Sequence, residues 1–433
     1  MNKKHKLPAM ESRDFRLWFV GQGVSVIGTW LQNTGQAWLV LKITNSPTKL
    51  GLLTAVQYIP TLVLALFIGP FVDTYPKRTI LLWTQSLFAV AAAALAAVSF
   101  MGNEQYWIIM LISLLTGIVT AVDWPARQAF VSEQVLDKTA VTNAVALNNT
   151  LFNIARVIGP ALGGVLIAAV GIPWTFALNA LSFIAVIASL VMMEAGRTPV
   201  RAERSDMKTE VVGGIKYIRD NPAIMSLLAI VGFLSLFVLN FNVTVPSFSK
   251  IALGMGSDAY GGLMAVMGAG ALAAGLMVAF GGDKVEPKPA FVYAAGFILC
   301  IGTILVGVQR NLILSGLFLA VCGFGMSLLT TMCNTSVQMQ SSDKMRGMVM
   351  SVYNLVFVGV TPFGSLYSGL IADWLDTGWA FTLSGILGVA FLLYMRIFVT
   401  PKSFKGIESF VRPRVPQPDN SNSCSTLTPK KSA

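Results

Sequence analysis

Arg156 is the only charged residue between Lys138 and Glu194. A guanidinium set deep in apolar surroundings is expensive, and such residues default to a functional role. Arg156 can attract an anionic or catechol-type solute, pair with a polar group on a neighbouring segment, or snorkel toward the nearer interface. A second group lies upstream: Gln22, Thr29, Gln32, Asn33 and Gln36, with Ser25, recur at steps of three and four residues and form one polar stripe of a helix. Asn240, Asn334 and Asn354 punctuate later apolar runs, and Trp30, Trp38 and Phe237 are nearby aromatics. Together they describe a neutral, aromatic-rich cavity for an amphipathic solute, although hydrogen bonding between helices would use the same residue types. Carboxylates avoid the middle of every run. Asp123 comes nearest, with Asp73 and Glu133 toward one end and Asp373 and Asp376 toward the other. The single histidine is His5, and no Ser/His/Asp set, Cys/His cluster or phosphate-binding lysine loop is present. Enzymatic hydrolysis, zinc chemistry, a bound cofactor and ATP drive are therefore not expected.

The elements that position these residues follow from composition. The chain has 433 residues, 55% hydrophobic and 12% charged, against about a quarter charged in soluble proteins, and its mean hydropathy is +0.68. A soluble enzyme, a nucleic-acid binder and a secreted disulfide scaffold are excluded. Uncharged runs cover Leu17–Leu41, Leu50–Val72, Thr79–Asn103, Gln105–Val122 and Val157–Met193, then Asn221–Ser249, Ala259–Gly282, Pro289–Gln309, Asn311–Ser342, Gly347–Ala372 and Thr377–Met395. About 20 apolar residues in a helix cross a bilayer core, and uniformly apolar runs exclude an alternating barrel. The expectation is an all-α integral membrane protein with twelve transmembrane helices in two pseudo-symmetric six-helix halves, Val141–Val170 being the fifth span and Pro173–Met193 the sixth.

If the N-terminus is cytoplasmic, the outward connections hold just Lys42, Lys49, Lys250 and Arg310, and every other basic residue except Arg156 lies inside. That bias sets orientation. It predicts both termini in the cytoplasm of a multi-pass inner-membrane protein, and it explains the +11 net charge through anionic lipid rather than nucleic acid. The expected divisions are a cytoplasmic N-terminus (1–14), a first half (15–195), a central loop (196–221), a second half (222–400) and a disordered tail (401–433).

Two motifs recur across the halves. Gly159-Pro160-Ala-Leu-Gly163-Gly164 has a counterpart in Thr361-Pro362-Phe-Gly364, and the Gly69-Pro-Phe-Val-Asp73 connection has a faint echo at Gly281-Gly-Asp283. On these residues the chain, over about Phe15–Thr400, resembles the major facilitator superfamily. Gly69, Asp73 and Lys77 match its loop motif between the second and third spans, with Thr74 and Pro76 departing from it. Gly159, Pro160, Gly163 and Gly164 match its antiporter-type G-P-x-x-G-G in full. Asp123-Trp-Pro125-Ala-Arg127, Asn148 through Arg156, and Gly171-Ile-Pro-Trp174 are similar to the enterobactin-exporter-like branch of siderophore and drug exporters.

The resemblance implies alternating access and proton-coupled export of a small amphipathic molecule by a monomer in the lipid bilayer, with an importer or uncoupled facilitator as the alternative. It also implies an inner gate of Gly69, Asp73, Lys77, Arg78, Asp123 and Arg127 near the start of the eleventh span. Anchoring at the membrane edge is the competing role for those charges. For the fifth-span glycines it implies either a sliding interface that prevents leakage or a tight packing face.

Overall fold

The computed structural model describes residues 8–135, 138–193, 207–281, 287–342 and 345–399, apart from the side chains of 65–67, 69, 70, 73, 132, 138, 139 and 207–212. The expected tail (401–433) and residues 196–206 of the central loop lie outside them.

Among the described residues the regular structure is helical. The first half contains α1 (Arg13–Thr44), α2 (Pro47–Thr74), α3 (Lys77–Phe100), α4 (Tyr106–Glu133), α5 (Lys138–Val170) and α6 (Pro173–Met192). A short helix, α7 (Met207–Arg219), leads to α8 (Pro222–Phe237), α9 (Phe241–Ser247), α10 (Ser257–Phe280), α11 (Pro289–Val308), α12 (Leu312–Gln340), α13 (Arg346–Gly359), α14 (Thr361–Trp374) and α15 (Thr377–Tyr394).

Local chemistry sets the boundaries. Asn45 adopts the left-handed conformation that ends α1, and Ser46 caps α2 by accepting from the Lys49 amide. Prolines open α2, α6, α8 and α11, where no amide donor is needed. Asn311 caps α12 through the amides of Ile313 and Leu314. Gly171, at φ 99°, supplies the turn between α5 and α6 that a side chain would strain.

Among the described residues, ten helical segments are long and apolar enough to cross a bilayer. Two of them are broken. The seventh expected span consists of α8, α9 and a π turn, Phe248–Ala252, and the eleventh is α13 followed by α14. The paired prolines thus behave differently: Pro160 lies inside continuous α5, whereas Pro362 opens the new helix α14. The expected count of twelve spans includes two more, α1 and α2, whose lengths of 32 and 28 residues suffice for a crossing. The polar stripe of α1 dilutes its apolar character. Large apolar side chains face outward, with Trp83 70%, Trp107 71% and Ile313 80% exposed, as expected where lipid replaces water as the surrounding medium.

In the first half α1 packs on α5 and α6, α3 on α4 and α6, and α2 on α4; in the second, α11 packs on α12 and α15, and α10 on α12. The halves meet along two seams, α5 with α10 and α2 with α14. We call the face bearing the starts of α1 and α8 the terminal face, and the opposite one the distal face. The described seam contacts run from the distal face to Val157 against Gly268 and Leu62 against Gly359, near mid-helix.

Candidate functional site

A cavity lies between the halves, beneath the distal seams. Its walls come from α1 (Trp30, Asn33, Thr34, Gln36), α2 (Thr54, Gln57, Tyr58), Pro160 of α5, Asn242 of α9, and Tyr260 and Met264 of α10. The roof joins the halves: Tyr260 stacks on Trp38 with ring centroids 6.0 Å apart, and Thr34, whose hydroxyl donates to the Trp30 carbonyl, lines the cavity with it. Arg156 is not itself a lining residue but stands beside two of them, Trp30 and Tyr58. Its guanidinium carbon is 6.0 Å from the centre of the Trp30 ring, and it interacts electrostatically with Tyr58. Among the described residues no carboxylate pairs with it.

The polar stripe of α1 is divided among several neighbours. Asn33 and Gln36 reach the cavity, and Gln36 also donates to Ser113 of α4 at 2.5 Å. Gln32 instead accepts from Asn179 of α6 at 2.7 Å. The Thr29 hydroxyl turns back to the Ser25 carbonyl. Gln22 is fully buried with both amide atoms unbonded. The later residues are also dispersed. Asn240 donates to the Leu236 carbonyl, Asn334 accepts from Gln338, and Asn354 is exposed on α13. Sequence reasoning missed Thr54, Gln57, Tyr58, Asn242 and Tyr260. The first three have the same three-and-four spacing as the α1 stripe, and applying that criterion to α2 would have found them.

The charges expected at a gate form a more local arrangement. Asp123 Oδ2 accepts from Arg127 Nε at 2.9 Å and Nη2 at 2.6 Å, one turn apart on α4. Its Oδ1 accepts from Thr84 at 2.7 Å and Gln85 at 2.6 Å, both on α3. The guanidinium stands over the Trp18 ring of α1 at 5.9 Å. Asp123 is 4% and Arg127 8% exposed, so this charge pair is buried within the first half. Arg78 donates to the Leu190 and Val191 carbonyls and so caps α6. Lys77 is buried at the start of α3. Burial raises the nearby Glu133 carboxyl above its ordinary range, and the Lys77 charge opposes that shift. The surroundings of Gly69, the side chain of Asp73, and Lys344 lie outside what is described.

The glycine motif touches both halves. A Cβ on Gly159 would sit 2.2 Å from Trp30 Cβ, and one on Gly163 3.0 Å from Thr34 Cβ, both on α1. A Cβ on Gly164 would instead sit 2.5 Å from the Ser257 carbonyl and 2.7 Å from Gly261 Cα, both on α10. One face of α5 therefore packs within its half and an adjacent strip forms the seam.

A family model described as transmembrane secretion effector matches residues 6–423. The staphyloferrin A transporter of Staphylococcus aureus is 26% identical over 370 residues, covering 83% of this chain and 90% of that protein. The multidrug efflux pump Tap of Mycobacterium tuberculosis is 23% identical over 366 residues (82% and 84% covered). The enterobactin exporter EntS of Citrobacter koseri is 22% identical over 395 (89% and 94%). In three dimensions the chain is similar to a bacterial homologue of the human lysosomal transporter Spinster, with a TM-score of 0.67 at 12% identity, covering 90% of this chain and 96% of that one. Matched by that family model over nearly its whole length, the chain belongs to the transmembrane secretion effector family of major facilitator transporters.

Proposed function

We propose that this protein is a secondary exporter that moves a small amphipathic molecule, of siderophore or drug-like size, out of the cytoplasm by alternating access. The observation that carries the reading is the cavity between the halves, roofed by Tyr260 on Trp38, with Arg156 beside its Trp30 wall. Contacts on one face and a cavity below them are what an alternating-access protein presents when closed on that side. The terminal face is assigned to the cytoplasm from the distribution of Lys and Arg, which makes the conformation inward-facing. The export direction draws on the relatives named as siderophore exporter and efflux pump.

Protons are the proposed coupling ion. Asp123 is the acid closest to the membrane interior, and its carboxyl group accepts hydrogen bonds from Arg127, Thr84 and Gln85. Proteoliposomes loaded with candidate siderophores and drugs and placed under a pH gradient test the reading. Efflux should follow the gradient in wild type and lose its pH dependence in Asp123→Asn. Uptake against the expected direction would establish an importer, and transport indifferent to pH would remove proton coupling.

A further inference from the structure

We propose that the cavity takes an organic anion: an amphipathic molecule whose carboxylate, or equivalent anionic oxygen pair, is seated on Arg156. This deepens the exporter reading and rests on it, since it treats the cavity as the seat of the transported solute. The argument begins with the charge inventory. Arg156 is the one ionisable cation at mid-span next to the cavity, and none of the residues lining the cavity is acidic. Among the described residues it has no carboxylate partner. Trp30 offers the guanidinium a ring face, which steadies a cation without neutralising it. Tyr58 adds a hydroxyl beside it. A planar guanidinium fixed on one side by an aromatic ring keeps its donor fork free for a planar, bidentate acceptor, the geometry of a carboxylate.

The rest of the cavity is neutral. Gln57, Asn33 and Asn242 supply amides and Tyr260 a ring, so the ligand body is uncharged, part aromatic and part hydrogen-bonding. A cationic amphipath would meet an uncompensated positive charge in a low-dielectric setting and is disfavoured.

Equilibrium dialysis against the full-length protein in lipid nanodiscs, with empty nanodiscs as blank, tests this with three probes: 1-naphthoate, its near-isosteric amide 1-naphthamide, and tetraphenylphosphonium. Wild type should bind the naphthoate about 10- to 100-fold tighter than the amide, as one charge-assisted hydrogen-bonded contact implies. Arg156→Gln should abolish that preference, and Arg156→Lys, which keeps the charge but loses the fork, should retain part of it. Thermal unfolding of each variant separates loss of binding from loss of fold. Equal binding of acid and amide, preference for the phosphonium, a preference that survives Arg156→Gln, or no anion binding by wild type would each overturn the assignment. Solute flux in proteoliposomes reports separately, so an exporter of neutral or cationic solutes remains distinguishable from a protein that transports nothing.

Discussion

The Ser46 hydroxyl donates to Asp373 Oδ2 at 2.7 Å, joining the start of α2 in one half to the end of α14 in the other. The same hydroxyl accepts from the Lys49 amide, so Asp373 bears on the N-terminal end of α2, where a helix favours negative charge. A few residues earlier, Lys250 donates from its ammonium to the Leu41 carbonyl at the end of α1, where a helix favours positive charge. The second half therefore grips the α1–α2 turn with an acid at the positive helix end and a base at the negative one. The Thr48 hydroxyl bonded to the Gly369 carbonyl completes the latch.

Because this latch exists when the distal face is closed and its partners lie on opposite halves, weakening it should favour the opposite state. Asp373→Asn and Lys250→Met are each expected to shift the equilibrium by about 1 kcal/mol, roughly fivefold in population. Distances between spin labels on the distal ends of α2 and α14 would report it. Unchanged distance distributions in both variants would show that the latch does not govern opening.

The glycines of α5 should separate two effects. Gly159→Ala places a methyl group against Trp30 Cβ inside one half, where nothing can yield. A loss of thermal stability of about 1–3 kcal/mol is expected, typical of overpacking. Gly164→Ala meets α10 backbone across the seam, and its expected effect is a population shift away from the distal-closed state with a smaller loss of stability. Equal loss of stability in both, with no population shift in Gly164→Ala, would make the motif a packing face alone.

The spans were legible in the sequence because lipid tolerates long runs of one character, and the gaps between charges mark them directly. The breaks were less so: Pro362 and Pro160 occupy similar sequence contexts, yet only Pro362 begins a new helix. The cavity was half legible. Arg156 and Trp30 stood out as a lone charge and a nearby aromatic, but their approach to Tyr58 depends on where the fold sets α2 relative to α1 and α5. The α1 stripe is shared out because α1 is packed on several sides. Polar residues at helical spacing report that some neighbour is polar, while Asn179, Ser113 and the cavity compete for them. A stripe identifies a face only when the helix has one neighbour.

The Asp123–Arg127 pair is buried and fully within the first half, so it also has a structural role. Removing one member of a buried pair leaves an uncompensated charge and costs about 3–5 kcal/mol. Asp123→Ala should therefore lower the melting temperature markedly, whereas the double variant Asp123→Leu with Arg127→Met should recover much of the loss. A double variant as unstable as the single one would show that Thr84, Gln85 and Trp18 depend on the charges for their positions.

Gln22 offers the converse case. Its side chain is 0% exposed, and neither amide atom has a partner among the described residues. The neighbouring Gly21 and Gly23 bring α6 and α5 close to α1 at this level, through Ser189 and Leu151. An unpaired buried amide group costs roughly 1–3 kcal/mol, and leucine or methionine fills a similar volume without that penalty. Gln22→Met should leave stability unchanged or raise it, as read by thermal unfolding in detergent, with transport retained because the residue does not line the cavity. A loss of stability would mean that an ordered water satisfies the amide. Retained stability with lost transport would instead assign Gln22 to a conformational state in which α1 has turned.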